Sequence, residues 1–410
     1  LKYLIKGNET FIFLKKSYIT MLLKMGGTVK VGSDTLDATA ANTPKTGLSI
    51  VNNITHSMFK EIRIKLGGTV INRAQDQYPF KVYMQLLTSA GRDMQEYYLP
   101  CAGWIKDTAG QMDATITEDN KEAKCLNAGL LRRRREFFGE TDVVGEFVFK
   151  PHTGLCLADI LIPPFIDVEV ELTRHDNPYF YLKSSQSTNN FNLEILEAIY
   201  EVLRYQCNTP YVSSIEKMLL DHPINMNLTD GHINTITVPA NIRNFTVENL
   251  FHGNVPKKIA LAMVGVDAFN GDPQKNPYNF QHFNVSHVKL LKNGQEYPVP
   301  ECRTDFTATP NRFLSTFHKM MVSLNADYND HCAAITPKEY SNGHFFYSFF
   351  MLPDKEAGWE MHQIQTGPSQ IRLEIIFASN LAKAIQLIVF YTSDSVLTID
   401  HLRRVSVVHQ

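Results

Sequence analysis

The chain has 410 residues, 44% hydrophobic and 11% aromatic, including 25 Phe and 17 Tyr. This is too apolar for disorder and longer than one core usually serves, so two units of about 200 residues are expected, with the aromatic content leaning toward β structure. The formal net charge of −2 excludes a polycation that binds nucleic acid over its whole surface, and the lack of any 18-residue apolar run excludes a predicted helical membrane span.

Residues 1–31 carry Lys2, Lys6, Lys15, Lys16, Lys24 and Lys30 against Glu9 alone. Lysines interrupt each apolar run and no small-residue cleavage site follows, so a secretion signal is excluded. Two readings are open: a basic arm facing nucleic acid or an anionic membrane, or a first strand and helix with solvated lysines. The chain starts at Leu1 rather than Met, from a missing upstream piece or from removal. Residues 32–47 read as a small, polar loop, and strands are expected from about Leu48 and Met58. The run 59–72 alternates, turns at Gly67-Gly68 and continues apolar. Apolar spacing of three and four predicts a helix over 78–89.

Residues 107–124 are polar and charged and read as a long surface loop. Arg132, Arg133, Arg134 and Arg135 follow in a run. Four arginines can grip phosphates, pair with acids of a neighbouring subunit, or stay solvated. Strands are expected over 143–149, 155–162, 166–173 and 191–207. Alternation in 166–172 predicts one core face and one wet face bearing Glu169 and Glu171. Pro210 and Pro223 bracket a predicted helix at 213–220, capped by Ser213 or Ser214, which marks the boundary between the units.

The second half repeats the plan. Strands are expected over 233–238, 243–250 and 258–264, then a turn-rich stretch at 267–283. The run 285–298 forms strand, Asn293-Gly294 turn and strand, as 59–72 does. A mixed, helical segment at 311–325 parallels 78–89, and strands close the unit at 341–350, 369–379 and 384–398. Residues 327–337 read as an outer loop.

The chemistry of enzymes finds no pattern here. The fourteen His contain no H-x-H or H-E-x-x-H, and His282 and His287 would lie on opposite faces of a strand. Asp267, Asn270 and Asp272 lack the spacing and closing Glu of a calcium loop, so a turn is expected. Nucleophile-elbow, phosphate-loop and dinucleotide fingerprints are absent, and Gly26-Gly27 reads as a turn. The six Cys are spread without a C-x-x-C pair and read as reduced thiols of an intracellular protein. The five N-x-S/T sequons, at Asn8, Asn53, Asn227, Asn244 and Asn284, are expected to be unused. No catalytic residue, metal or cofactor is expected.

Several segments carry a family resemblance in order along the chain. They are Gln77-Tyr-Pro-Phe-Lys-Val-Tyr-Met-Gln-Leu-Leu, Asp167-Val-Glu-Val-Glu-Leu-Thr-Arg, Thr237-Val-Pro-Ala, Asn249-Leu-Phe-His-Gly-Asn-Val-Pro-Lys-Lys, Asp267-Ala-Phe-Asn-Gly and Asn276-Pro-Tyr-Asn-Phe-Gln-His-Phe. Together with the Asn293-Gly294 hairpin and the 192–220 linker, they resemble the major capsid proteins of Polinton/Maverick elements and adintoviruses. The likeness spans most of 48–400. Residues 1–31 and the arginine run have no counterpart in it.

The resemblance implies an all-β tandem, or double, jelly roll: two eight-stranded sandwiches with short inserted helices. Residues 1–31 would be a basic arm or first strand, 32–207 the first jelly roll, 208–224 a linker with a short helix and 225–410 the second jelly roll. It further implies a non-enzymatic homotrimer with pseudo-hexagonal outline. Such trimers tile an icosahedral shell around double-stranded DNA, with penton and minor capsid proteins as partners. An inner membrane or the genome would lie beneath. The virion would be assembled in the host nucleus or cytoplasm. A family maturation protease would account for Leu1. On this reading Arg132–Arg135 are candidate inter-subunit or nucleic-acid contacts, and Lys2, Lys6, Lys15, Lys16 and Lys24 an inner-face basic arm. Two alternatives compete. A carbohydrate-binding tandem jelly roll without a capsid role needs an exposed Trp, from Trp104 or Trp359. A metal-dependent jelly-roll enzyme needs clustered ligands.

Overall fold

The computed structural model describes all residues except 32, 40, 73–76, 121, 139–142, 187–190, 252–254, 327–332, 352–368 and 410. Among these, the strands assemble into two units, each with two main sheets. In the N-terminal unit one sheet runs Lys2–Ile5, Val168–Arg174, Phe59–Leu66 and Thr69–Val70 in order of adjacency. The other centres on Phe11–Val31, flanked by Phe191–Tyr205 and Val144–Phe149.

The C-terminal unit reproduces the first sheet strand for strand, with Asn244–Val247, Ile371–Phe377, Val285–Lys292 and Gln295–Arg303 in the corresponding places. Its second sheet runs Ile224–Val238, Ile385–Ile399, Lys258–Gly265 and Phe346–Phe350, and Val405–His409 adds to Ile385–Ile399. The two hairpins that look alike in sequence therefore occupy equivalent positions. Their turns match as well. Gly67 and Gly68 have φ of 53° and 84°, and Asn293 and Gly294 have 50° and 82°. Two consecutive left-handed residues give the turn whose twist suits an antiparallel hairpin, which is why Gly or Asn stands there.

Alternation sets the faces. Val168, Val170 and Leu172 are buried, while Glu169 and Glu171 point outward to Lys2 and Lys65. Ile259 through Val264 are buried without alternation, as a strand paired on both sides and covered on both faces requires. The helix Tyr78–Ser89 carries Pro79 in its first turn, where the missing N–H costs nothing. Ten of its twelve residues are buried. It touches both Phe59–Leu66 and Ile224–Val238, so it is packed between the units.

Several expectations are corrected. Residues 1–31, read as a basic arm or a first strand, contribute Lys2–Ile5 and Phe11–Val31 to the two sheets of the first unit. Gly26 and Gly27 lie inside Phe11–Val31, where the strand leaves Phe191–Tyr205 and pairs with Asp34–Asp37. A Cβ at Gly26 would meet the Asn192 side chain, so the small residues permit close strand approach rather than a turn. Residues 155–162 do not form a strand; Gly154–Leu157 is a helical turn, and Ile162 makes a lone bridge to Ile12.

The linker helix is Thr209–Asp221, with Asn208 as N-cap. Ser214 instead donates to the Pro210 carbonyl at 2.9 Å. The arginine run lies on a helix, Ala128–Phe137. His282 precedes the strand that contains His287, so the two do not share a strand. The mixed segment at 311–325 yields the helix Leu314–Ser323. Residues 327–332 of the expected outer loop lie outside the described residues.

Candidate functional site: the junction between the units

The segments that join the two units are polar at their centre, which buried junctions tolerate only when every charge finds a partner. Asp107 is buried and accepts hydrogen bonds from Arg133 Nη2 at 2.6 Å, Asn127 Nδ2 at 2.7 Å and Asn276 Nδ2 at 3.0 Å. Burial would raise its carboxyl. The Arg133 charge and these three donors outweigh it and hold the carboxyl below its usual range. Arg133 is fully buried and also donates to the carbonyls of Ile50, at 3.1 Å, and Ile105. Asn276 belongs to the C-terminal unit, so it ties that unit to the Arg133–Asp107 pair of the first.

Around this centre the contacts alternate between aromatic and ionic. Tyr83 stacks on Tyr278 with ring centroids 4.0 Å apart, and Tyr278 shares a hydrogen bond with Ser57 at 2.6 Å. Asp113 accepts from the Asn276 backbone N–H at 2.7 Å and Asn279 Nδ2 at 2.9 Å. Lys81 pairs with Asp230 at 2.7 Å, both largely buried. Lys106 pairs with Glu339 at 3.0 Å and donates to the Ala334 carbonyl at 2.6 Å. Lys183 is fully buried and donates to the carbonyls of Met112 and Gln274, each at 3.4 Å. Burial pushes its ammonium down to about 8, with Asp113 and Asp107 opposing the fall.

Beneath the helix Tyr78–Ser89 lie two histidines. His56 Nδ1 is hydrogen-bonded to the Tyr78 hydroxyl at 2.8 Å, and the His56 and His152 rings are 5.0 Å apart. Burial keeps His56 well below the usual imidazole range. Burial, with Lys81 and Lys150 adding to it, brings His152 to about 3. These imidazoles are neutral packing groups at physiological pH.

No protein-family model matches the chain. In structure it is similar over 100% of its length to a chain of the Sputnik virophage, covering 85% of that chain at a TM-score of 0.68 and 10% identity. The Faustovirus major capsid protein aligns over 97% of this chain and 87% of its own, with a TM-score of 0.58 and 7% identity. The mavirus major capsid protein aligns over 100% and 86%, at 0.52 and 8%. The fold is the double jelly roll. In sequence the chain is 20% identical over 311 residues to the uncharacterised protein F54H12.2 of Caenorhabditis elegans, covering 74% of this chain and 68% of that protein.

Within the double jelly roll, the sequence-predicted contact residues separate. Arg133 and Arg134 are buried, which corrects the expectation of a four-arginine surface. Arg134 donates to Thr43 Oγ1 at 3.0 Å, and burial lowers its guanidinium to about 10. Arg132 and Arg135 are exposed on the opposite side of the helix; Arg132 pairs with Glu136 at 2.7 Å and Arg135 donates to the Ala123 carbonyl at 2.9 Å. A helical period explains the split, since Leu130, Arg133 and Arg134 are three and four apart.

Of the lysines, Lys2 pairs with Glu169 and Glu171, Lys6 with Asp167 at 2.9 Å and Lys15 with Asp159 at 3.0 Å. Lys16 and Lys24 are exposed. Residues 107–124 are not one surface loop, because Asp107, Met112 and Ile116 are buried in or beside the junction. Trp104 is fully buried, and Trp359 lies outside the described residues. The five described cysteines are unpaired thiols.

Sequence reasoning missed the junction because its partners are far apart in the chain. Asp107 and Asn276 are 169 residues apart. One signal was available: Asn276, Tyr278 and Phe280 fall in the Asn276–Phe283 segment that carries the family resemblance, and all three are buried at or beside the junction.

Proposed function

We propose that this chain is the main structural subunit of a viral-type shell. Three copies form a trimer of pseudo-hexagonal outline, since six jelly rolls then surround one axis, and trimers tile an icosahedral capsid around double-stranded DNA. The chain acts by assembly and not by catalysis. Its partners are further trimers and penton and minor capsid proteins, with the genome or an inner membrane beneath the shell. Its location is the virion.

The observation that carries this reading is the locked duplication: two sandwiches that share the strand order of one sheet, joined through a buried ionic and aromatic junction, in a fold that viral major capsid proteins match over at least 97% of this chain. A rigid pair of equivalent units is what a pseudo-sixfold tile needs. The outward faces support it. Phe191–Tyr205 is a 15-residue strand paired on one side only among the described residues. It exposes Leu196, Ile199, Leu203 and Tyr205 among Glu194, Glu197 and Glu201, and a long unpaired edge with apolar side chains invites a protein neighbour. Of the predicted contact residues, Lys16 and Lys24 are exposed, and Arg132 and Arg135 are exposed beside their partners Glu136 and the Ala123 carbonyl, where they can meet acidic neighbours or nucleic acid.

Light scattering after size exclusion tests the reading. The chain is 46.6 kDa, and a closed trimer elutes with a mass of about 140 kDa. A monomer at every concentration would sink the proposal. The carbohydrate-binding alternative without a shell role loses Trp104 as a platform, because that ring is inside the core.

A further inference from the structure

A cleft of about 490 Å³ opens where the two units meet. One wall is 110–114 of the N-terminal unit; the others are 279–284 and 341–343 of the C-terminal unit. This volume lies within the ~300–1,000 Å³ that small-ligand sites occupy. The walls are fixed to each other. The Gly110 N–H donates to the Asn342 carbonyl at 2.8 Å, and Asp113 holds both the Asn276 N–H and the Asn279 amide. A ligand here would meet a preformed site, with little ordering to offset.

The lining restricts what can bind. Among the described lining residues Asp113 is the one charged side chain, and both its oxygens already accept amide donors. No cation faces an anionic ligand, and among the described residues no group of three or more His, Cys, Asp or Glu gathers here to hold a metal ion. A lipid chain is disfavoured by the amides of Gln111, Gln281 and Asn284, all exposed at the cleft. These offer paired donors and acceptors of the kind that hydroxyl groups use. Phe283 and His282 add ring surface. The His282 ring is stacked on Phe306 with centroids 3.7 Å apart, and its Nδ1 accepts from the Asn284 N–H at 3.0 Å. Its Nε2 therefore carries the proton in the neutral ring and is a donor. Amides beside aromatic surface, with a single carboxylate already engaged by amides, suit a polyhydroxylated neutral molecule.

We propose that this inter-unit cleft is a binding site for a neutral saccharide. The proposal does not depend on whether the chain builds a shell. It is tested by saturation-transfer NMR on the full chain with glucose, galactose, mannose and N-acetylglucosamine, and with N-acetylneuraminic acid as the anionic comparator. The expected result is transfer to at least one neutral sugar, weaker transfer to the acid, and at least a tenfold loss in a Gln111→Ala/Gln281→Ala variant with an unchanged thermal midpoint. Both positions are exposed; if that variant loses stability, Gln111→Trp, which fills the cleft from its rim, must give the same loss. The same chain on immobilised glycans extends the test from single rings to longer chains. No transfer and no glycan capture would overturn the proposal. So would binding that both variants leave intact, or a preference for the acid.

Discussion

Tyr83 of the N-terminal unit lies flat against Tyr278 of the C-terminal unit, with ring planes 2° from parallel. Both rings are buried, and the Tyr278 hydroxyl reaches back across the junction to Ser57. Truncating Tyr278 to Ala should cost about 3–5 kcal/mol of stability, as for other large core aromatics. Tyr278→Phe keeps the stack and loses one hydrogen bond, so it should cost about 1 kcal/mol. Urea denaturation of the two variants measures both. Equal losses would show that the hydroxyl, and not the ring, holds the units together.

The Arg133–Asp107 pair makes a second prediction. Removing the cation alone, as in Arg133→Met, leaves Asp107 buried with two amide donors and no directly bonded counter-charge. The expected loss is about 3–5 kcal/mol. Arg132→Met, one residue away on the exposed side, should change stability by less than about 0.5 kcal/mol. Similar effects at both positions would refute the division of the arginine run into buried and exposed faces.

Gly129 sits on the same helix, and a Cβ there would run into the Lys106 carbonyl. Gly129→Ala should therefore destabilise the chain by about 1–3 kcal/mol, despite Ala's better helix propensity. Denaturant midpoints of the variant and the parent decide the sign.

Acid should weaken the fold through the buried histidines. The folded-state pKa values of His56 and His152 lie below the unfolded value near 6.5, so their contribution is fully present above that value. It is lost as pH falls below 6.5, and for His152 the loss continues to about 3. Each group gives a slope of up to about 1.4 kcal/mol per pH unit. Thermal midpoints between pH 7.5 and 4.5 should fall, and His152→Gln should flatten the curve. A curve of unchanged steepness in that variant would assign the acid sensitivity elsewhere.

Lys183 makes the opposite experiment possible. Its folded pKa of about 8 lies below the model-peptide 10.5, so its burial costs stability at pH 7 and less as pH rises from 8 toward 10.5. Lys183→Met should gain about 1–3 kcal/mol at pH 7, as apolar replacements of buried charge often do. The gain should shrink at pH 10. A loss at pH 7 would mean that the bonds to Met112 and Gln274 outweigh the desolvation.

Local pattern carried much of the fold in the sequence. The hairpins at 59–72 and 285–298 are legible because alternation and Gly-bearing turns are properties of adjacent residues. The helix Tyr78–Ser89 was legible from spacing alone. Its burial was not, because what covers Lys81 is Asp230, 149 residues further on. The same limit applies to Arg133. Charge alone marked the run as surface, and only the helical period, shared with Leu130, could have separated Arg133 and Arg134 from their neighbours. Residues 155–162 misled because an apolar run without alternation fits a buried turn as well as a strand.

The pairing of Phe11–Val31 with Phe191–Tyr205 has a consequence for biosynthesis. At ~5–20 residues per second, a ribosome takes roughly 10–30 s to deliver the later strand after the earlier one. The second unit repeats the delay, since Ile224–Val238 waits for Ile385–Ile399. Through both intervals a long strand lacks a native neighbour, and such topologies close slowly even when complete. Crowded polysomes making this chain would place many such strands side by side, so its yield in a host cell should depend on chaperone supply and synthesis rate more than on the stability of the finished fold.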